Sequence, residues 1–342
     1  MEHLTNADGL LGYYIGIYII TFLFGITIGS FLNVCIYRLP AGESLTKKNS
    51  HCMTCGAYIK WYDLIPVFSW LILRGKCRAC GSKISGRYIL VESLTGILFF
   101  LTFLRFDVIN DGLIYPAFIC IFIAGLIVIG FEDYDTQEMT IGVLLYLAIV
   151  AALARIGSTL LPSEFRGSNV SLTDGLIGMF SVSVPFLIFG FVLTPLIYSL
   201  AVSEDHKAAR KLRKRLKKEK LTEKEAEKLQ KALDTHIEAI KETGPVYGFG
   251  MGDVILMAAG GLMLGWKATV VAAFIAVIFG AVYAVILKAK AKHSDNEENI
   301  KAFAFGPFLV IGLVLASFFG TELMDMYIEY LTVPQIPDYY LG

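Results

Sequence analysis

The sequence predicts an all-α polytopic membrane protein of about eight transmembrane helices, with a small cytoplasmic zinc-ribbon-like loop and a cytoplasmic helical hairpin. Three observations predict it. Hydrophobic residues make up 56% of the 342-residue chain, and the mean hydropathy is +0.63, above what an ordinary soluble domain carries. The apolar residues gather into runs of about 20, the length that crosses ~30 Å of hydrocarbon as a helix. The charged residues, 18% of the chain at zero net charge, collect in a few stretches between those runs. Membrane lipids are therefore an expected partner, and nucleic acid is not.

The apolar runs lie near 11–37, 88–104, 113–132, 140–161, 175–202, 252–266, 267–289 and 303–322. Only the turn Gly265-Trp266-Lys267 separates the sixth from the seventh, so seven spans is the alternative count. The first run has neither a basic leader nor a small-residue cleavage site, and reads as a retained span. Orientation follows from Lys and Arg, which stay on the cytoplasmic side. Met1 to Gly9 holds Glu2 and Asp8 but no Lys or Arg, whereas the loop from Arg38 to Arg87 is rich in both. The amino terminus is thus expected outside and the loop 38–87 inside; alternation then puts 203–247 inside as well. The resulting divisions are 1–37, the first span; 38–87, a cytoplasmic loop; 88–202, spans two to five; 203–247, a charged hairpin; 248–322, spans six to eight; and 323–342, an outer tail.

The loop carries Cys52-x-x-Cys55 and Cys77-x-x-Cys80. A two-residue spacer lets both thiolates of a pair turn toward one tetrahedral Zn²⁺, and two such pairs complete a Cys₄ site. Each pair ends in a glycine, Gly56 or Gly81, which accepts the positive φ of a tight turn. Two disulfides are the alternative, and a reducing cytoplasm disfavours them. Cys35 and Cys120 fall inside spans and read as small buried hydrophobes. Arg74 and Lys76 are expected near the headgroups, with Trp61, Pro66 and Trp70 packing the loop onto the membrane.

Within 203–243, Lys207 to Lys220 is almost continuously basic. Thr222-Glu223-Lys224-Glu225 is a capping-box pattern. Leu212 and Leu216, then Leu229, Leu233, Ile237 and Ile240, recur at helical spacing. Two helices joined near Lys220-Leu221 are expected, the basic arm lying against anionic lipid headgroups or docking a partner protein.

Acids at the edge of a span are costly and mark function or a buried partner. Two places qualify: Phe131-Glu132-Asp133-Tyr134-Asp135 at the end of the third span, and Gly250-Met251-Gly252-Asp253 at the start of the sixth. The expected topology puts both at one cytoplasmic depth. Gly250 and Gly252 permit close backbone approach or an unwound helix end that leaves Asp253 accessible. Two carboxylates sharing a proton can activate water, one as general base and one as general acid.

These motifs together resemble the type IV prepilin peptidases, the bifunctional leader peptidases and N-methyltransferases of bacterial pilus and type II secretion systems. The resemblance runs through GSFLNVCIYRLP (Gly29 to Pro40), WYDLIPVFSWLILRGKCRAC (Trp61 to Cys80), RYILVESLTG (Arg87 to Gly96), Asp133-Tyr134-Asp135-Thr136, GFGMGD (Gly248 to Asp253) and AFGPFL (Ala304 to Leu309). It implies a multi-pass protein of the bacterial inner membrane, with a periplasmic amino terminus. It implies catalysis by Asp133 and Asp253; Asp135, Gly250 and Gly252 are read beside them as supporting residues. The implied reaction cleaves a short basic leader from prepilins or pseudopilins, then methylates the new amino terminus from S-adenosylmethionine. The chain departs from the family's Leu-Pro-Asp with Glu138-Met139-Thr140-Ile141, places Ile255 where a cation is usual, and has a longer 203–243 connection. A transporter using the two aspartates, or a non-enzymatic scaffold of a secretion or pilus machine, are the competing readings. Neither competitor accounts for both the cysteine loop and two acids at one face.

Overall fold

The computed structural model of the chain describes residues 2–46, 50–106, 112–161, 171–201, 203–218, 223–242, 249–292 and 304–332. In hydrocarbon each backbone N–H and C=O must find its partner within its own segment, so the apolar runs form helices. In chain order these are α1 (Glu2–Arg38), a single 3₁₀ turn (Trp61–Leu64), α2 (Phe68–Ile72), α3 (Arg87–Arg105), α4 (Ile114–Thr136), α5 (Ile141–Leu160) and α6 (Leu172–Ile188). A π-helical turn (Phe189–Leu193) leads to α7 (Thr194–Ala201), followed by α8 (Ser203–Lys218), α9 (Glu223–Glu242), α10 (Met251–Leu264), α11 (Trp266–Lys292) and α12 (Gly306–Thr332).

Among the described residues, seven helices are long and apolar enough to cross a membrane. Helix α10 is the eighth apolar element, but its 14 residues span only about 21 Å, short of the hydrocarbon thickness. Gly265 at φ +85° separates it from α11, at the turn expected from sequence. Helix α1 begins at Glu2, well before the apolar run, since no proline precedes Pro40 to stop the ladder. Helix α12 likewise continues through Thr332, so 323–332 are helical rather than tail; its far end meets its neighbours through Lys267 Nζ–Asp325 Oδ1 at 2.5 Å and an Arg105–Glu322 ion pair. Residues 333–342 lie outside the described ones. The π turn precedes Pro195, whose missing N–H cannot close onto Phe191. The ladder widens there, and the Thr194 N–H donates to Phe189 O.

The chain divides into two compact units, Met1–Val182 with Ile255–Gly342, and Ser183–Val254. In the first, glycines replace side chains where helices touch, the device by which membrane helices pack closely. A Cβ on Gly25 would stand 2.8 Å from Gly96 Cα, and one on Gly29 would stand 2.7 Å from Glu92 Cα, so α1 and α3 meet backbone to backbone. Gly178 and Gly261 do the same for α6 and α10. Beside them Arg155, only 1% exposed, donates from Nε to Leu262 O at 2.7 Å.

In the second unit α8 and α9 pack as the expected hairpin. Ala209 and Leu233 are buried, with Leu212, Leu216, Leu229 and Ile237 partly covered. His236 Nδ1 and Asp205 Oδ1, 2.8 Å apart, tie the two helices together. The capping-box Thr222 and the junction near Lys220-Leu221 lie outside the described residues.

Candidate functional site

Asp133 stands in the last turn of α4, where the helix ends because Gln137 adopts φ +58° and returns its N–H to Asp133 O at 2.9 Å. The side chain is 6% exposed, and its Oδ2 is buried with no hydrogen-bond partner. The carboxyl group faces Gly306, the first residue of α12. A Cβ on Gly306 would fall 2.5 Å from Asp133 Oδ2 and would also strike Met139 Cε. Only glycine fits, and the positive end of a helix is directed at the carboxylate.

The two neighbouring acids are engaged elsewhere. Asp135 Oδ2 is 2.6 Å from Arg87 Nη2, a pair held by charge rather than by a well-aligned hydrogen bond. Arg87 also lies over the Phe131 ring at 4.9 Å and the Tyr37 ring at 5.5 Å, so this one cation links α1, α3 and α4. Glu132 is fully buried. Its Oε2 accepts the Thr140 N–H at 3.3 Å, joining the end of α4 to the start of α5, while Oε1 has no partner.

Asp253 lies in the first turn of α10 and belongs to the second unit. It was expected to be accessible; it is buried, 8% exposed, because its carboxylate turns back to accept the Gly250 N–H at 2.9 Å. Phe249, one residue earlier, stacks on Phe186 with ring centroids 4.1 Å apart and packs against Gly190. A Cβ on Gly250 would meet nothing nearer than Asp253 Oδ2 itself at 3.6 Å, so the backbone there does not exclude a side chain.

The four loop cysteines converge. Their sulfurs all lie within 4.8 Å of one another, with Cys52 Sγ and Cys80 Sγ 3.9 Å apart. Four thiolates at the usual Zn–S distance of about 2.3 Å form a tetrahedron with edges of roughly 3.8 Å, so the cluster is sized for one zinc ion. The pairs are built alike. Cys52 N–H donates to Ala57 O and Gly56 N–H to Cys52 O, while Cys77 N–H donates to Ser82 O and Gly81 N–H to Cys77 O. Gly56 and Gly81 have φ of +69° and +71°, as the turn requires, and single antiparallel bridges His51–Tyr58 and Lys76–Lys83 close the two knuckles. The amides of Cys55 and Thr54 hold the Cys52 thiol down at about 5. No disulfide joins the four in this structure. Arg78 grips Asp63 through two contacts at 2.8 and 2.6 Å and keeps that carboxyl below its usual range.

Glu132, Arg87 and Gly306 were not singled out from sequence. Arg87 and Gly306 sit inside the quoted RYILVESLTG and AFGPFL runs, but their contacts are long-range and leave no local pattern.

With this geometry in hand, the chain can be set beside known proteins. It matches the bacterial peptidase A24 N-terminal domain over residues 23–106 and the type IV leader peptidase family over residues 120–285. Among curated relatives, the type 4 prepilin-like proteins leader peptide-processing enzyme of Escherichia coli O78:H11 is 32% identical, covering 84% of this chain and 88% of that protein. The prepilin leader peptidase/N-methyltransferase of Bacillus subtilis is 26% identical over 91% of this chain and 97% of its own. That of Myxococcus xanthus is 42% identical over 135 residues, which span 40% of this chain and 38% of that protein. No solved structure matches. The fold and the two matched regions define an integral membrane protein of the leader-peptidase class. The chain belongs to the type IV leader peptidase family.

Proposed function

We propose that this protein is a membrane-embedded aspartic endopeptidase that removes the basic leader from type IV prepilins or pseudopilins at the cytoplasmic membrane face. In this reading it also methylates the new amino terminus from S-adenosylmethionine. The observation that carries the peptidase assignment is Asp133. It is a buried carboxylate with an unpartnered oxygen, set against a glycine that admits no side chain. Desolvating a carboxyl group and leaving it unsatisfied costs free energy, and a site that acts on water is a physical reason to keep it. Asp253 is likewise a buried carboxylate, set at a helix start and held by the Gly250 N–H.

In the proposed reaction Asp133 and Asp253 converge on one water when substrate is bound. The ionised carboxylate takes a proton from the water as it attacks the scissile carbonyl. The protonated partner donates to the developing oxyanion; the carboxylate that took the water's proton passes it to the leaving amine as the C–N bond breaks, and the collapsing diol returns a proton to the partner. No acyl-enzyme forms, so serine and thiol reagents find no catalytic nucleophile to block. The cysteine knuckles are proposed to hold one structural Zn²⁺ through Cys52, Cys55, Cys77 and Cys80, which, when bound, cross-links the two halves of the loop. The methylation assignment is supported by the names of the relatives alone, and no residue is assigned to it.

Purified protein in detergent, mixed with a prepilin peptide and followed by mass spectrometry, tests this reading. Cleavage without cofactor and a methyl increment only with S-adenosylmethionine are expected; an intact peptide under both conditions overturns it. The hairpin is proposed to be dispensable for the chemistry. Replacing 204–242 with a short flexible linker is expected to leave cleavage of a solubilised peptide within about threefold of the full chain, since α8 and α9 bury their apolar faces on each other. A collapse of activity in a folded deletion variant would instead give the hairpin a role in placing substrate.

A further inference from the structure

Between the two cysteine knuckles runs a stretch of ten residues, 64–73, with no charged side chain: Leu64-Ile65-Pro66-Val67-Phe68-Ser69-Trp70-Leu71-Ile72-Leu73. Lys60 and Asp63 precede it, and Arg74, Lys76 and Arg78 follow. An apolar run in an aqueous loop folds its side chains inward. Here they face outward: Ile65 is 46% exposed, Phe68 49%, Leu71 54% and Ile72 75%.

The depth of this stretch is fixed by what it touches. The Val67 N–H donates to Glu92 Oε2 at 2.7 Å. Glu92 lies five residues into α3 from Arg87, or about 7 Å along the helix axis. Phe68 lines an apolar groove with Phe22 and Leu23 of α1 and Ile97 of α3. Ile97 is ten residues from Arg87, about 15 Å along the axis, roughly half the hydrocarbon thickness. Helix α2 therefore runs beside the membrane-spanning part of α1 and α3, not above their ends.

Glu92 itself needs a reason. It is an acid within a span, 8% exposed, and such groups are costly unless they serve something. Val67 sits at φ +63° and ψ −55°, at the head of α2, and its N–H finds its acceptor outside that helix. Non-helical backbone is tolerated at membrane depth only where its polar groups are satisfied. Glu92 supplies the acceptor.

We propose that residues 64–73 form a re-entrant segment that enters the hydrocarbon from the cysteine-loop side and returns, pinned at its turn by Glu92. Its partner is the acyl-chain region of the bilayer. The outward face of α2 is continuous with lipid-facing surface on the spans, where Leu23 is 43% and Ile97 48% exposed. Trp61 and Tyr62, beside Lys60 and Arg78, mark the water boundary, as aromatic residues do at membrane interfaces. On the return, Gly75 at φ +65° lies under the Trp70 ring, which leaves no room for a Cβ. The cysteine knuckles are thereby held at a fixed height by a stem inside the membrane as well as by α1 and α3.

The test is a depth measurement on full-length protein in phosphatidylcholine nanodiscs. A nitroxide is attached through p-acetylphenylalanine, which spares the cysteines, at Ile72, at Ile97 as a span reference or at Tyr58 as a knuckle reference. Collision rates with oxygen and with a neutral nickel chelate are compared. The label at Ile72 is expected to match the one at Ile97, with an oxygen-to-nickel ratio several-fold above that at Tyr58. A ratio at Ile72 equal to that at Tyr58 overturns the proposal. Glu92→Gln keeps an acceptor for Val67 and is expected to preserve the Ile72 ratio; Glu92→Leu is expected to lower it toward the Tyr58 value while the Ile97 ratio stays put. An unchanged Ile72 ratio in Glu92→Leu would overturn the role given to Glu92.

Discussion

Asp133→Asn and Asp253→Asn are each expected to abolish leader cleavage while the protein stays folded. The expected loss is at least the ~10²–10⁴-fold that a positioned acid or base contributes, equal to about 3–5 kcal/mol of transition-state stabilisation. Asparagine is nearly the same size, so both variants preserve packing and remove only the capacity to hold and transfer a proton. In Asp133→Asn the side chain still fits against Gly306, whose missing Cβ is what makes room for it. In Asp253→Asn the amide oxygen can still accept the Gly250 N–H. Asp135→Asn is expected to be milder. It weakens the pair with Arg87, but that guanidinium keeps its two aromatic faces, Tyr37 and Phe131. Single-turnover cleavage of a prepilin peptide, with circular dichroism to confirm the fold, separates these outcomes. Near wild-type cleavage by either of the first two variants would mean the dyad is misassigned, and a scaffold role would survive both.

Combining the two mutations discriminates further. Residues that act as a unit are not additive. The double variant is therefore expected to be no slower than either single one, whereas two independent contributions would multiply.

What the sequence shows plainly is whatever repeats or is punctuated locally. The apolar runs have the length of a bilayer crossing, and Gly265 falls at the one break between α10 and α11. The cysteine pairs carry their own spacing, so the knuckles and their glycine turns were readable before any contact was known. The ends of α1 and α12 were not, because a helix that leaves the hydrocarbon loses its apolar signal without losing its backbone hydrogen bonds. The surroundings of Asp133 were hidden for a different reason. Gly306 is 173 positions away in the chain, and no periodicity links them. Glu92 lies within RYILVESLTG with no local sign of its role, since its purpose depends on an amide 25 residues earlier. The burial of Asp253 has no local signature either, because a glycine-rich approach suggests exposure whereas the carboxylate folds back onto that same backbone.

Substituting any one of Cys52, Cys55, Cys77 or Cys80 by Ser is expected to release the metal, and purified wild-type protein is expected to carry about one zinc per chain. The two knuckles have little else to hold them to each other. Each is closed by one isolated bridge and a few backbone hydrogen bonds, and Cys55 and Cys80 are exposed. Beside the two-pronged Asp63–Arg78 pair, the sulfurs are the main contact between them. Zinc in small Cys-rich modules supplies of order 10–16 kcal/mol of folding free energy, far more than those hydrogen bonds. Losing one thiolate therefore unties both knuckles rather than one. Hydrogen exchange is expected to rise across 50–60 and 75–85 in each variant. Exchange at Val67 is expected to stay slow, because its N–H is held by Glu92 and not by the metal. Leader cleavage is expected to fall by less than in the aspartate variants, as no cysteine touches the reacting atoms in the proposed chemistry. Metal analysis of reduced protein that finds no zinc while the knuckles remain protected would remove zinc from the account.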